Sequence, residues 1–178
     1  MARIRSFPPL GRRSAHTLVL GTMPGAASLR AGEYYAHPRN AFWSIVGALF
    51  GFDAALDYQT RVRRLSDADI AVWDVLQSCE RAGSLDARID AASIVANDFA
   101  GFFIAHPRIE RVCFNGATAQ ALFRRHVLPS LGTPRIAFVR LPSTSPANAS
   151  IRPAAKLEAW RAALDPDALH NAASTEVT

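Results

Sequence analysis

Four short apolar runs, at residues 17–21, 71–76, 111–114 and 135–141, are separated by stretches in which apolar positions recur every three or four residues. Runs of this length with little alternation suit strands buried on both faces, and the spacing between them suits helices. Asn40 opens a helix with Ala41, Phe42, Ile45, Val46, Leu49 and Phe50 on its apolar face, and Gly51 ends it. Residues 58–65 form a second, more polar helix. Residues 91–105 read as a third, with a possible break near Asn97-Asp98 and a stop at His106-Pro107. Residues 117–127 form a fourth, and Pro153 suits the first turn of a last helix running to Leu164. Strands alternating with helices predict a three-layer α/β/α sandwich around a central four-stranded, mainly parallel sheet. Residues 1–164 then make one domain, with 1–16 as an N-terminal arm. Residues 165–178, small and polar, are expected to be a disordered tail.

The unusual chemistry collects where the predicted strands end. Leu20-Gly21-Thr22-Met23-Pro24-Gly25 follows the first strand and Leu141-Pro142-Ser143-Thr144-Ser145-Pro146-Ala147-Asn148 follows the last. The middle strands run into Asp74 and into Asn115-Gly116. Ligands of open α/β sheets bind outside the carboxyl ends of the strands, so these segments predict the lips of one site. The long loop 22–39 supports this, because loops of that length inside a compact domain tend to be functional.

Composition narrows the chemistry. No apolar run approaches the roughly 20 residues of a membrane span. The basic start has no apolar segment behind it, so no secretory signal is expected. The two cysteines, Cys79 and Cys113, sit in or beside strands and read as buried thiols. No zinc-type spacing, GxGxxG fingerprint or GxxxxGK[ST] loop occurs, so no metal or cofactor is expected. The net charge is +5, and Lys156 is the single lysine among 20 basic residues. The basic excess suits a polyanionic partner, and arginine suits phosphate, although a GC-rich coding bias also raises arginine.

The motifs Ser6-Phe7-Pro8-Pro9, Leu20 to Gly25, Tyr34-Tyr35-Ala36-His37-Pro38-Arg39-Asn40-Ala41-Phe42-Trp43, Trp73-Asp74-Val75-Leu76, Phe114-Asn115-Gly116 and Leu141 to Asn148, in this order and spacing, resemble the uracil-DNA glycosylase superfamily. The match is closest to its hypoxanthine-DNA (deoxyinosine) glycosylase branch and covers about residues 6–164. The resemblance implies a monofunctional hydrolase that flips a deaminated base out of double- or single-stranded DNA and cleaves its N-glycosidic bond. It implies no membrane partner, a monomer, and work in the cytoplasm on the nucleoid. It places the catalytic asparagine at Asn40, whose amide oxygen would orient the attacking water. Asn is also a preferred helix N-cap, and both roles are compatible.

Gly21, Thr22, Met23, Pro24 and Gly25 would let backbone approach the base. Strong uracil excisers carry an acidic residue or asparagine where Thr22 and Met23 stand, which argues against efficient uracil removal. Tyr35 is favoured over Tyr34 as a stacking face, with packing as the alternative. Asp74 stands where many relatives carry a base-reading asparagine; otherwise it bonds the loop backbone at 77–81. Asn115 reads as a turn residue first and a cleft residue second. His37 and Arg39 flank the site, and Ser143, Thr144, Ser145 and Asn148 would grip DNA. Relatives often insert a Leu or Arg from that last loop into the duplex, and Ala147 is small for this. Two other readings within the fold are a mismatch-type uracil/thymine glycosylase and a non-catalytic damage-binding module. A flavodoxin-like enzyme acting on a small molecule is a third.

Overall fold

In the computed structural model, which describes residues 3–132 and 135–165, the chain opens with a short strand, β1 (Arg3–Arg5), and enters the central sheet at β2 (Thr17–Gly21). Helices α1 (Ala26–Ala31), α2 (Phe42–Phe50) and α3 (Tyr58–Asp67) lead to β3 (Ile70–Asp74). Next come β4 (Leu76–Glu80), two single 3-10 turns, β5 (Val95–Ala96) and α4 (Phe99–Ala105). The chain returns to the sheet at β6 (Arg111–Asn115), passes through α5 (Ala117–His126) and α6 (Leu128–Leu131), and finishes with β7 (Ala137–Leu141) and α7 (Pro153–Leu164).

The sheet order is β3-β2-β6-β7, all parallel, as the apolar runs predict. Every residue of β2 and β3 is buried, which a parallel sheet covered on both faces requires. Helix α2 touches both α3 and α7, while α6 touches α4 and α5, so the helices fall into two groups. Right-handed crossovers put those groups on opposite faces. One apolar core joins them, including the Phe42–Trp160 contact and the Phe99–Phe123–Phe114 cluster. Cys79 and Cys113 are buried free thiols.

Some elements differ from the sequence reading. The loop 22–39 contains α1. The run at 71–76 splits after Asp74, and β4 turns away to pair antiparallel with β1 and β5 in a second, three-stranded sheet. The stretch 91–105 is α-helical only from Phe99, after a 3-10 turn at Ala91–Ser93 and β5, because the Asp98 carboxylate caps α4 by accepting from Gly101 N–H at 2.9 Å. The last strand starts at Ala137, not residue 135. The arm is not loose, since Leu10 bridges Val72 in both directions and closes the outer edge of β3. Of the expected tail, residues 166–178 lie outside the described residues.

Candidate active site

Register sets the site. Gly21 pairs with Asp74, Leu20 with Phe114 and Asn115 with Leu141, so four strand ends open along one edge of the sheet. The chain leaves β2 toward β3 and later returns to β6 on the other side, which makes this edge the topological switch point. A cleft of about 370 Å³ lies there. It is lined by Gly21, Thr22, Met23, Pro24, Gly25, Tyr35, His37, Asn40, Asp74 and Asn115, and across from them by Ser143, Thr144, Ser145 and Asn148. Arg39 is exposed and lies instead in an adjoining, more apolar groove between α2 and α7.

Asp74 forms the floor. It is 3% exposed, and its Oδ2 has no hydrogen-bond partner. The alternative bond to the backbone at 77–81 is therefore not made. Burial pushes its carboxyl up to about 8; nearby Asp86 adds to the rise and Arg81 opposes it. Gly21 is required beside it, since a Cβ there would come within 2.5 Å of Asp74 Oδ1 and 3.2 Å of Tyr35 Oη. Tyr35 holds a left-handed backbone (φ 57°), stacks on Phe42 at 4.1 Å, and also leaves its buried hydroxyl unpartnered. Burial and the neighbouring Asp74 raise its pKa, and the adjacent Asn115 side chain opposes the rise. Tyr34 is core, donating its hydroxyl to the Phe7 and Pro8 carbonyls.

Asn40 sits on the wall. Helix α2 begins two residues later with Ala41 at the N-cap position, so Asn40 caps from one residue further out: its Oδ1 accepts from Phe42 N–H at 3.0 Å. An amide oxygen has two lone pairs, so one remains for a water in the cleft. Ala41 N–H donates to the Thr144 carbonyl at 3.0 Å, joining the two lips. His37 Nδ1 accepts from Arg39 N–H at 3.1 Å, which leaves the proton on Nε2.

The second lip is built from within. Asn115 Nδ2 donates to Thr144 Oγ1 and Asn115 Oδ1 accepts from Thr144 N–H, both at 2.8 Å. The sequence reading has the Thr144 hydroxyl gripping phosphate; in the structure Thr144 is fully buried and its hydroxyl holds the loop instead. Ser143 and Ser145 each accept from the backbone N–H two residues on, and Asn148 Nδ2 donates to the Ser143 carbonyl. Gly116 (φ 105°) lets β6 turn beneath this loop, where a Cβ would sit 3.0 Å from that of Ser143.

A family model of the uracil DNA glycosylase superfamily matches residues 8–164. The chain belongs to this superfamily. Glycosylase-superfamily relatives similar to it include a protein named hypoxanthine DNA glycosylase from Methanosarcina barkeri, 35% identical over 113 residues, which are 63% of this chain and 70% of the relative. A second of the same name from Methanosarcina acetivorans is 34% identical over 116 residues, 65% of this chain and 72% of that one. A solution NMR structure of a Methanosarcina acetivorans protein, provisionally described as a uracil DNA glycosylase, superposes with a TM-score of 0.77 at 30% identity. It covers 92% of this chain and 97% of its own.

In this superfamily member one support of the site has little trace in the sequence. Arg81, its side chain 1% exposed, donates to the Pro24 carbonyl and, at 3.0 Å, to the Gly83 carbonyl, and pairs with Asp86 at 3.4 Å. It ties the first lip to a third wall, Ser84 to Asp86. Burial raises the Asp86 carboxyl, while Thr22 and Arg81 pull it down. An arginine in a charged loop reads as a solvated cation; the only hint is that Gly83 and Asp86 follow within five residues.

Proposed function

We propose that the protein is a monofunctional DNA glycosylase that removes hypoxanthine from deoxyinosine in DNA. The observation that carries this is the cleft itself: two lips joined by a backbone bond, Asn40 on the wall, and a buried, unpartnered carboxyl on the floor. The names of the relatives point to the same substrate. The flipped base enters edge first toward Asp74, beside the ring of Tyr35. Asn40 Oδ1 accepts from a water and holds it near C1′. The C1′–N9 bond breaks, its electron pair leaves with the base, the water oxygen bonds to C1′, and the water proton passes to the departing base. A cationic sugar needs a positioned water more than a strong base, so an amide suffices. Ser143, Ser145 and Asn148 face the cleft from the second lip, where the phosphates of an extruded nucleotide would pass. Residues 1–164 act as one domain and one monomer, on DNA in the cytoplasm. Among the described residues no helix is long and apolar enough to cross a membrane.

Oligonucleotides carrying inosine, xanthine or uracil, assayed for abasic sites, test the reading. Inosine should be cleaved fastest. Asn40→Ala should lose at least about a hundredfold in single-turnover rate, as expected for a group that acts on the reacting water, with DNA affinity retained. No cleavage of any base by the wild type would sink the proposal.

A further inference from the structure

Among the described residues three buried side-chain polar atoms lack a hydrogen-bond partner: Tyr35 Oη, Asp74 Oδ2 and Arg61 Nε. Arg61 lies over the Trp43 ring and pairs with Glu33, so its place is explained by packing. The side chains that carry the other two meet at Gly21 on the cleft floor, where a Cβ would lie 2.5 Å from Asp74 Oδ1, the second oxygen of the same carboxyl, and 3.2 Å from Tyr35 Oη. Buried polar groups are nearly always satisfied. Two orphans converging in one cleft make a receptor awaiting a complementary edge. Resting on the glycosylase reading above, we propose that Tyr35 and Asp74 together read the lactam edge of hypoxanthine: Tyr35 Oη–H and one Asp74 oxygen donate to O6, and the other Asp74 oxygen accepts from N1–H.

The chemistry requires Asp74 to carry a proton, because a carboxylate would repel O6. The surroundings supply that condition. The floor excludes water, Asp86 faces it from the third wall, and Tyr34 and Tyr35 face it from the first lip. Among the described residues Arg81 is the cation that opposes this, and it is already engaged by Asp86 and two carbonyls. A neutral carboxyl presents one donor and one acceptor, the complement of N1–H and O6. Two donors on O6 also draw electron density from the ring as C1′–N9 breaks, so the contacts strengthen toward the transition state. The pair thus serves leaving-group stabilisation as well as recognition.

The test compares inosine with nebularine, a purine lacking O6, in single-turnover cleavage by the full chain. Tyr35→Phe keeps the ring on Phe42 and removes only the hydroxyl. It should slow inosine by about tenfold, the loss of one transition-state hydrogen bond, and leave nebularine, DNA affinity and thermal midpoint unchanged. Wild-type inosine cleavage should fall as pH rises through about 8. Asp74→Asn preserves the donor–acceptor pattern, so it should recover much of what Asp74→Ala loses, and its rate should stay flat across that alkaline range. Equal slowing of inosine and nebularine by Tyr35→Phe would overturn the pairing, as would an alkaline fall retained in Asp74→Asn. Absence of inosine cleavage by the wild type would instead sink the glycosylase reading and this inference with it.

Discussion

Asn115 uses both ends of its amide on a single residue, the buried Thr144. Replacing it with alanine would leave a buried N–H and a buried hydroxyl without their partners. Unsatisfied buried groups cost about 1–3 kcal/mol each. Asn115→Ala should therefore lower the midpoint of urea unfolding measurably and slow base excision, because the lip it holds also anchors Ala41 beside Asn40. An unaltered midpoint would show that the clamp is not structural. Residue chemistry is unevenly legible in the sequence. Asn40 stands out because asparagine before an apolar helix has two uses, and both fit its geometry. Asp74 stands out because a carboxylate at the end of a buried strand is costly unless something answers it. Thr144 reads like its serine neighbours, and only the tertiary fold reveals that Asn115 has taken its hydroxyl.

At the scale of elements, the periodic pieces are legible and the paired ones are not. The four sheet strands and helices α2, α3, α5 and α7 follow from local apolar spacing. The second sheet does not, because β1 is a basic Arg-Ile-Arg tripeptide whose partner lies some 75 residues on, at Ser78 to Glu80. Short strands carry their signal in the partner, not in themselves. The same holds for the β7–α7 loop, whose shape depends on α7: Lys156 Nζ donates to the Asn148 carbonyl at 2.6 Å, and Trp160 Nε1 to the Pro142 carbonyl at 3.0 Å. The only lysine is therefore committed to a loop carbonyl and lines the adjoining groove, not the cleft. Strand cleavage by a bifunctional enzyme usually begins when an amine forms a Schiff base with the sugar, and arginine cannot stand in for that amine. Turnover should leave intact abasic sites. Borohydride added during the reaction should trap no protein–DNA adduct; a trapped adduct, or nicks without alkali or heat, would implicate Lys156 or the terminal amine.

For the whole molecule, a site that keeps a neutral carboxyl on its floor has a cost in stability that depends on pH. The Asp74 carboxyl titrates near 8 in the folded protein and near 3.8 when exposed. Between those values the unfolded chain holds the carboxylate, while the folded chain must take up a proton. Stability from this group is thus full below about pH 4, falls as pH rises, and levels off once the folded group ionises above about 8. Asp86, also raised by burial, acts in the same direction. The loss across this window is on the order of a few kcal/mol, a large share of a typical domain's stability. Asp74→Asn removes the titrating group and keeps its shape. In urea unfolding the variant should gain on the wild type steadily from pH 5 to pH 8, and the two should converge toward pH 4. A constant gap between them at every pH would mean that Asp74 is ionised in the folded state. The cleft would then present a bare carboxylate to the base, and the lactam complement would be lost.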